Sequence, residues 1–585
     1  MRKTKIVCTM GPAIANYETM VELVKAGMDV ARFNFSHGTH EEHKIRIDMV
    51  RRAAKELGVR VALMLDNRGP EIRLGDFAEG KVYIEPGAEF TLTTEELLGD
   101  ETQATVHYGA MPSEVEIGRR IMLDDGNIVL EVKQIEGQRI ICTVIIGGDL
   151  SDHKKVNLPG AVVSLPAVGS KDVADIRFAV AQNMDFIAAS FIRKAHDIWE
   201  IRKIIEEAGG DQKIIAKIES QEGLDNLDEI IKVVDGLMVA RGDLGVEIPT
   251  ENVPIMQKEM IRKSNLAGIP VITATQMLDS MIRNPRPTRA EASDVANAIL
   301  DGSDAIMLSG ETASGKYPVE AVLTMARIAV KTEESLMHGK KWIADDIGIN
   351  PSITDAIGYA VCQTVKSLNA KAILTPTTSG YTARMIAKYH PDVNIIATTT
   401  SERVANQLVL TGGVTPLLSA PSDNSEDMVR NAIEAALDAG YLDNGDLVVL
   451  TAGVPIGTPG STNMMQVMTV GDVLVQGMVV GGIKPITGKS VVALNPTEAL
   501  SKMQKGDILV LHSMDADYIE AASLASAIIT EEGGLSSSGV IVGLSMQIPV
   551  LVGASDATKL IPDGVIITMD AYNKVYRGRA NNRQI

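Results

Sequence analysis

The stretches KIIAKIES, residues 213–220, and GLMVARGDLG, residues 236–245, are short apolar runs that end in charged side chains. Similar runs recur along the chain: KIVCTM at 5–10, VALML at 61–65, DFIAASF at 185–191 and IPVITA at 269–274. They alternate with longer segments of helical period, such as YETMVELVKAG at 17–27 and HDIWEIRKIIEEAG at 196–209. Strand, helix and strand at this spacing are typical of parallel βα units. We predict an α/β fold in which they close a (β/α)8 TIM barrel, whose active site belongs at the carboxyl ends of its strands.

Charged side chains occur at these predicted strand ends. Alternation along KIIAKIE places Lys217 and Glu219 on the same side of an extended chain. Glu219 and Asp243 supply the hard carboxylate oxygens that Mg²⁺ prefers. Arg32, Arg73 and Lys217 supply cations for a phosphate group. Acids and cations around one barrel mouth indicate metal-assisted phosphoryl transfer.

Simpler interpretations of these residues stay open from the sequence. Lys217 and Glu219 are also compatible with an ordinary surface ion pair. Arg241 is compatible with a brace that pairs with a neighbouring acid, and His37 with a hydrogen-bonded loop residue.

Composition excludes several classes of protein. The net charge of −19 and the pI near 5.0 disfavour nucleic acid or an anionic membrane surface as partner. The three cysteines are far apart and predict neither a disulfide framework nor a zinc site. No run approaches the length of a membrane span, and we expect a cytoplasmic protein.

Changes in sequence texture divide the chain into four predicted domains. Short strands with turn signals interrupt the βα alternation and predict an inserted β domain. A hinge is expected near 338–352. The last part of the chain is rich in glycine and is predicted to form a small α/β unit. The predicted bounds are 1–69 and 170–340 for the barrel, 70–169 for the insert, 341–473 for a second α/β domain and 474–585 for the last unit.

Several long motifs resemble those of pyruvate kinases. They are MDVARFNFSHGTHEEH at 28–43, GPEIR at 69–73, GLMVARGDLGVEIP at 236–249, VITATQMLDSM at 271–281 and NPRPTRAEASDVANAILDGSDAIMLSGETA at 284–313. With further motifs the resemblance covers about residues 1–473. It implies transfer of the phosphoryl group of phosphoenolpyruvate to ADP in glycolysis, a β-barrel lid as the insert, and an α/β effector domain.

The resemblance also implies roles for single residues. Glu219 and Asp243 would hold Mg²⁺ (or Mn²⁺). The residues implied to bind phosphoenolpyruvate are Arg32, Lys217, Gly242, Asp243 and Thr275, and those implied in catalysis are Lys217, Arg32, Arg73 and Thr275. Thr275 would take part in protonating the enolate.

A second set of implied roles concerns K⁺ and the nucleotide. The oxygens of Asn34, Ser36, Asp66 and the main chain of Asn67 correspond to the K⁺ site. The residues that would face the nucleotide are Asn34, His37, Arg73 and Lys154, the last as part of a closing lid.

The chain departs from the family pattern at four of these places. Asn67 and Arg68 replace the Thr and Lys of the usual DTKGPEIR, although Glu71, the acid that accompanies a K⁺ requirement, is present. Lys155 stands where a glycine is usual before VNLPG, and a stiffer loop is expected if that position needs positive φ. Ser220 replaces the Asn that normally follows KIE. We expect these changes to affect rate and ion requirement more than the reaction.

The motif TPTTSGYTAR at 375–384 predicts an effector site. Hydroxyls and amides in a strand-to-helix loop suit a phosphate, although a plain helix cap has the same pattern. The residues concerned are Thr377, Thr378, Ser379, Gly380 and Thr382. Resemblance to bacterial pyruvate kinases implies AMP or a sugar phosphate as ligand, and a homotetramer.

The last segment resembles the swivelling phosphohistidine domain of enzymes that use phosphoenolpyruvate. That family carries its reactive His in TEEGGLTSHAA, and here Ser538 takes its place. Phosphohistidine chemistry, one alternative function, therefore lacks its nucleophile. A non-catalytic homologue is the other alternative, and the retained cations and carboxylates count against it.

Overall fold

A computed structural model describes residues 2–14, 16–336, 352–453, 462–471, 473–482, 484–570 and 573–578. The chain divides into two compact units, one of 1–350 with 383–392 and 401–416, the other of 351–382 with 393–400 and 417–585. Apart from Ser352, the predicted hinge at 338–352 lies outside the described residues. Among the described residues, no helix is long and apolar enough to cross a membrane.

The first unit begins with two βα units and a third strand. Their elements are β1 (Lys5–Met10), α1 (Tyr17–Ala26), β2 (Val30–Asn34), α2 (His40–Leu57) and β3 (Ala62–Asp66). An insert follows, with β4 (Ile72–Arg73), β5 (Lys81–Ile84), β6 (Glu89–Thr93), β7 (Gln103–Thr105), α3 (Met111–Glu114), β8 (Arg120–Leu123), β9 (Ile128–Glu136), β10 (Arg139–Ile146), β11 (Gly148–Ser151) and β12 (Lys155–Asn157).

The βα alternation then resumes. Its strands are β13 (Phe186–Ala189), β14 (Lys213–Ile218), β15 (Gly236–Ala240), β16 (Val271–Ala274) and β17 (Ala305–Leu308). Its helices are α4 (Ser170–Ala181), α5 (Ala195–Glu207), α6 (Gln221–Asp225), α7 (Leu227–Ile231), α8 (Arg241–Glu247), α9 (Val253–Ala267), α10 (Arg289–Asp301), α11 (Gly310–Ala313) and α12 (Pro318–Leu336), with 3₁₀ turns at Thr250–Asn252 and Asp279–Ile282.

Eight parallel strands close a barrel in the order β1-β17-β16-β15-β14-β13-β3-β2, which confirms the predicted fold. Closure depends on β3 pairing with β13 across the insert, with Asp66 opposite Ala188. The strands are apolar because both of their faces are buried, inside by residues such as Met64 and Met238 and outside by the surrounding helices. Charged residues are therefore left to the strand ends.

Local signals set the helix bounds. The side chain of Asn16 accepts the amide of Thr19 at 2.8 Å and begins α1, and Gly27 ends it at φ 113°. Thr39 and Glu42 form a capping box at the start of α2. The caps at Asn16 and Thr39 fix where the first two loops at the barrel mouth end.

The insert, called the lid domain below, is a β domain. It has a seven-stranded sheet in the order β4-β12-β8-β9-β10-β6-β7 and a two-stranded sheet of β11 and β5. Lys155 is extended in β12 opposite Arg73 of β4, and the left-handed position nearby is His153 at φ 58°. Lys155 therefore imposes no strain on the lid loop, and the concern about a lost glycine at this position is wrong.

The rest of the chain adds two α/β sheets. A five-stranded sheet, β20-β19-β18-β21-β22, is built from α13 (Ile353–Leu368), β18 (Ala372–Pro376), α14 (Tyr381–Ala387), β19 (Asn394–Thr399), α15 (Glu402–Leu408), β20 (Val414–Leu418), α16 (Ser425–Asp438), β21 (Leu447–Ala452) and β22 (Met464–Thr469). Its core includes Leu374, Ile396 and Val470.

An eight-stranded sheet follows in the order β23-β30-β29-β25-β26-β27-β28-β24. Its elements are β23 (Val473–Gln476), β24 (Met478–Val480), β25 (Ile486–Val492), α17 (Pro496–Lys502), β26 (Ile508–Leu511), a 3₁₀ turn (Ala516–Tyr518), α18 (Ile519–Ala522), β27 (Ala527–Thr530), α19 (Ser538–Met546), β28 (Val550–Val552), α20 (Ala557–Leu560), β29 (Ile566–Met569) and β30 (Lys574–Arg577). It has its own apolar core, which includes Leu509, Ile528 and Leu551.

Candidate active site

A polar cavity of about 410 Å³ opens at the carboxyl ends of the barrel strands, under the lid domain. Most of the predicted site residues line it: Arg32, Asn34, Ser36, His37, Asp66, Arg73, Lys154, Lys217, Glu219 and Asp243. Asn67, Gly242 and Thr275 lie beside these residues in sequence or space but are not part of the cavity wall. The barrel therefore assembles side chains that are up to about 200 residues apart in the chain.

Asp66 is the centre of the buried charge network. Its carboxylate accepts from Arg32 Nε at 2.6 Å and lies 3.1 Å from Lys217 Nζ, and the residue is 1% exposed. The pairing follows from strand order, because β2 adjoins β3 and places Asn34 opposite Asp66. Burial acts to raise the pKa of Asp66, but attraction by Arg32 and Lys217 outweighs it and holds that pKa below its usual value.

Lys217 and Glu219 form a second buried pair at the end of β14. Lys217 Nζ lies 3.1 Å from Glu219 Oε1 and donates to Ser190 Oγ at 2.7 Å. Glu219 is 1% exposed and Lys217 is 9% exposed, so the surface-ion-pair interpretation is wrong. Burial acts to lower the pKa of Lys217, but Asp66 and Glu219 raise it above its usual value and keep the ammonium charged. Burial raises the pKa of Glu219 above its usual value.

Asp243 completes the acidic part of the cavity from the first turn of α8. Its carboxylate contacts Lys155 Nζ of the lid domain and interacts with Glu219. Burial acts to raise the pKa of Asp243, and the attraction of Lys155 lowers it below its usual value. Two adjacent carboxylates that face a polar cavity fit Mg²⁺, since the ion prefers oxygen ligands and keeps positions open for water and phosphate oxygens. No group of three or more His, Cys, Asp or Glu side chains suited to a metal is found in the described parts of the chain.

Gly242 and Thr275 adjoin Asp243. The amide of Gly242 donates to Thr275 Oγ1 at 2.8 Å, and the Thr275 hydroxyl donates to the carbonyl of Ala274 at 2.7 Å. Thr275 has a left-handed backbone with φ 66°, a conformation that is unfavourable for a β-branched residue and occurs often at functional sites.

Arg241 supports this turn without reaching the cavity. Its guanidinium donates to the Thr275 carbonyl at 2.7 Å and pairs with Asp294 at 2.7 Å. The interpretation of Arg241 as a brace, left open by the sequence, therefore agrees with its contacts, and its effect is to hold Thr275 in the strained conformation.

Oxygens of the predicted K⁺ set are already engaged by protein donors. Asn34 Oδ1 accepts the Ser36 amide at 3.1 Å, and the Asn67 carbonyl accepts the Ser190 hydroxyl at 2.8 Å. Asn67 Oδ1 also accepts the Ser190 amide at 2.8 Å, so the residue that replaces the usual Thr is tied to β13. Carbonyl, hydroxyl and carboxylate oxygens of this kind have the chemistry that a hard monovalent cation prefers.

The cations predicted to face the nucleotide are paired within the lid region. Arg73 donates to Glu71 Oε2 from Nε at 3.0 Å and from Nη2 at 2.6 Å. Lys154 Nζ pairs with Asp124 Oδ1 at 2.6 Å. His37 lies on the cavity wall and its carbonyl accepts from the His43 ring at 2.9 Å.

Sequence reasoning missed four residues of the cavity, which are Ser190, Phe191, Asp124 and Asp125. Ser190 bridges Asp66, Asn67 and Lys217 by its hydroxyl. It ends the apolar run DFIAASF, so the rule that polar residues end the barrel strands was sufficient to find it. Asp124 and Asp125 come from a lid turn, and nothing in the sequence aims that turn at the barrel.

The predicted effector loop connects β18 and α14. The Gly380 amide donates to Thr377 Oγ1 at 2.9 Å, and Gly380 has φ 76°. Thr382 Oγ1 lies 3.0 Å from Thr462 Oγ1, and Thr378 and Ser379 are exposed. The neighbouring motif TAGVPIGTPGSTN falls outside the described residues at 454–461.

In the C-terminal sheet, Ser538 is the first residue of α19 and is exposed. The only histidine of residues 474–585 is His512, which pairs with Glu531 at 2.7 Å. Ser538 therefore offers a hydroxyl, and not an imidazole, at the position of the phosphohistidine.

Comparisons with known proteins identify the family to which the chain is similar. The family pattern of the pyruvate kinase barrel domain matches residues 1–322, that of the pyruvate kinase alpha/beta domain 355–468, and that of the PEP-utilising enzyme mobile domain 503–574. A pyruvate kinase of Geobacillus stearothermophilus is 51% identical over 584 residues, covering 99% of both chains. One of Bacillus licheniformis is 50% identical over 585 residues, covering 99% of this chain and 100% of the relative.

A solved structure shows the same relationship. The crystal structure of a pyruvate kinase from Cryptosporidium parvum has a TM-score of 0.75 and 40% identity, and covers 80% of this chain and 96% of that one. Because the barrel pattern alone spans more than half of the chain and relatives match it from end to end, the chain belongs to the pyruvate kinase family, with a PEP-utilising mobile domain at its C-terminal end.

Proposed function

We propose that this protein is an active pyruvate kinase that transfers the phosphoryl group of phosphoenolpyruvate to ADP and produces pyruvate and ATP. The observation that carries the proposal is the buried network of Arg32, Asp66, Lys217 and Glu219 beside Asp243 at the barrel mouth. Such a network keeps a fixed cation next to a carboxylate pair, as phosphoryl transfer requires. The full-length relatives support the same function.

The residues divide the chemistry between them. Glu219 and Asp243 would hold Mg²⁺ or Mn²⁺, which supplies charge neutralisation of the phosphate oxygens when bound. Lys217 and Arg32 would stabilise the negative charge that spreads over the phosphoryl oxygens in the loose transition state. Thr275 and the amide region of Gly242 would orient the carboxylate of phosphoenolpyruvate, and Thr275 would take part in protonating the enolate.

The lid domain and the K⁺ set would act on the nucleotide side. Arg73, His37, Asn34 and Lys154 would contact the ADP phosphates, and lid closure would exclude water from the donor. Asn34, Ser36, Asp66 and the Asn67 carbonyl would bind K⁺ near the transferring group.

Regulation and assembly follow the family expectation. The loop from Thr377 to Thr382 would bind AMP or a sugar phosphate, in a homotetramer located in the cytoplasm.

The domain bounds proposed above, with the last domain at 474–585, leave every catalytic residue outside the C-terminal domain. Phosphohistidine chemistry is not favoured, because Ser538 is an unactivated hydroxyl.

A lactate dehydrogenase-coupled assay with phosphoenolpyruvate and ADP tests the proposal. We expect turnover that needs both substrates and a divalent cation, and that disappears in the Glu219→Gln, Asp243→Asn double variant. A folded wild-type protein without turnover under any ion and effector condition would establish the non-catalytic alternative.

A further inference from the structure

Lys155 lies at the first position of β12 and reaches from the lid domain into the barrel mouth. Its ammonium contacts the Asp243 carboxylate, lies 3.8 Å from Glu71 Oε1 and lies 4.3 Å from the centre of the Phe191 ring. Its side chain is 12% exposed. The contact is therefore a specific, part-buried one, with the ammonium placed over an aromatic face.

The partners of Lys155 are the carboxylates proposed to hold the divalent cation. Asp243 touches the ammonium directly, and Glu219 attracts it. The Lys155 ammonium therefore contacts a carboxylate that the metal would also bind. Two positive charges at so short a distance repel each other strongly at low dielectric. Lys154, the neighbouring lid cation, pairs with Asp124 and not with Asp243.

A second cavity lies on the other side of Lys155. It has a volume of about 330 Å³ and shares Glu71, Lys155 and Phe191 with the polar cavity. Glu247, one helical turn after Asp243 on α8, lines it and interacts electrostatically with Lys155. Glu247 accepts a hydrogen bond from Asn157 Nδ2 at 2.9 Å, which leaves its other oxygen available to an ammonium group. Glu247 is therefore a second acidic neighbour of the lysine in this cavity.

We propose that Lys155 is a built-in competitor of the divalent cation: it occupies Asp243 in the metal-free enzyme and turns toward Glu247 when the metal binds. The proposal rests on the proposed metal site at Glu219 and Asp243. Its consequence is that the free enzyme binds the metal more weakly than the two carboxylates alone would, and that metal binding releases one tie between lid and barrel.

Direct titration with Mn²⁺, followed by the electron paramagnetic resonance signal of the free ion, tests the proposal without substrates or turnover. At constant pH and ionic strength, Lys155→Met should bind Mn²⁺ roughly tenfold more tightly than the wild type. A tenfold change in affinity corresponds to about 1.4 kcal/mol of binding free energy. Methionine keeps an unbranched side chain of similar length but carries no charge. Lys81→Met is the matched control, because it removes a lid charge whose partner is the exposed Asp149, and it should bind Mn²⁺ like the wild type. Equal or weaker binding by Lys155→Met would overturn the proposal.

Glu247→Gln tests the second position of the lysine. Removing the alternative partner should hold Lys155 on Asp243, so that Mn²⁺ binds more weakly than in the wild type. An unchanged Mn²⁺ affinity in a folded Glu247→Gln variant would show that Lys155 does not move there.

The Glu219→Gln, Asp243→Asn double variant separates this proposal from the metal site itself. If Mn²⁺ binding is lost in that variant but equal in the wild type and Lys155→Met, only the role of Lys155 fails. If Mn²⁺ still binds to the double variant with wild-type affinity, the metal site and the inference built on it both fail.

Discussion

At the scale of single residues, Lys217 is the side chain whose removal is most informative. It touches Asp66, Ser190 and Glu219, and none of its contacts fills an apolar core. We predict that Lys217→Ala lowers kcat by at least roughly 10²- to 10³-fold while the fold persists, because a cation that acts in the transition state is lost. The coupled assay and circular dichroism measure the two effects.

Lys213→Ala is the matched control for that variant. Lys213 lies at the opposite end of the same strand and pairs with Asp235 at 3.4 Å. It should keep kcat near the wild-type value. Near-normal turnover of Lys217→Ala would contradict the proposed mechanism.

The K⁺ requirement is a second prediction at this scale. Glu71 is present, and Asn67 still offers its main-chain carbonyl, although that carbonyl already accepts the Ser190 hydroxyl. We predict that turnover rises when K⁺ is added and that Asn67→Thr lowers the K⁺ concentration for half-activation, because a hydroxyl ligand is restored. Tetramethylammonium chloride controls for ionic strength, and equal activity in K⁺-free buffer would refute the requirement.

At the scale of elements, the loop between β18 and α14 is predicted to bind the effector. Ser379→Ala combined with Thr382→Ala should abolish activation by AMP and by sugar phosphates while basal turnover persists, because hydroxyl donors to the phosphate are lost. Ser367→Ala, an exposed hydroxyl on α13, is the control. Activation that survives the double substitution for every such ligand would place the site elsewhere.

The amino end of β17 has a buried acid that predicts a pH effect on stability. Asp304 accepts the amides of Gly412 at 2.8 Å and Val271 at 3.0 Å. Burial raises its pKa from 3.8 to about 6. The folded chain therefore binds more protons than the unfolded chain between about pH 4 and pH 6, so this group's contribution to stability falls as pH rises through that window.

Asp304→Asn should remove that dependence. The wild-type free energy of unfolding, relative to that of the variant, should decrease from about pH 4 to about pH 6 and then level off. Chemical denaturation at a series of pH values measures the difference, with the exposed Asp149→Asn as a control that follows the wild type. Parallel pH profiles of wild type and Asp304→Asn would contradict the prediction.

At the scale of the whole molecule, the C-terminal domain is predicted to be dispensable for chemistry. A chain that ends at Gly471 keeps Val470, which is buried in the core of the five-stranded sheet. We expect it to fold and to keep its kcat, because every proposed catalytic residue precedes it. Gly578, which follows β30, lies so close to Asn444 that an added Cβ atom would be 3.4 Å from that side chain. The C-terminal domain is therefore in contact with the domain of the five-stranded sheet at this point. Removing the C-terminal domain should lower the melting temperature, because this contact is lost.

Calorimetry and the coupled assay on the shortened chain test this expectation. The variant Ser538→His in the full chain, which places a histidine nucleophile at this position, is a second test. It should leave kcat unchanged. A shortened chain that folds but does not catalyse would contradict the prediction.

The sequence by itself determined the secondary structure of the barrel and showed that most charged groups of the site lie at the ends of its strands. Short apolar runs such as KIIAKIES, rich in β-branched residues, favour buried strands, and the caps at Asn16, Gly27 and Thr39 depend on local chemistry. That Lys217 and Glu219 share a side of the chain follows from the two-residue period of a strand. These features were predictable because each depends on residues that are neighbours in sequence.

The partners of those charges were decided only by the tertiary structure. Lys217 meets Asp66, which is 151 positions away, because barrel closure brings β14 and β3 to one mouth on either side of β13. Lys155 meets Asp243, which is 88 positions away, because the lid sheet aims β12 at the barrel. Alternation and propensity carry no information about such pairings, since strand order and lid orientation depend on the packing of the whole unit.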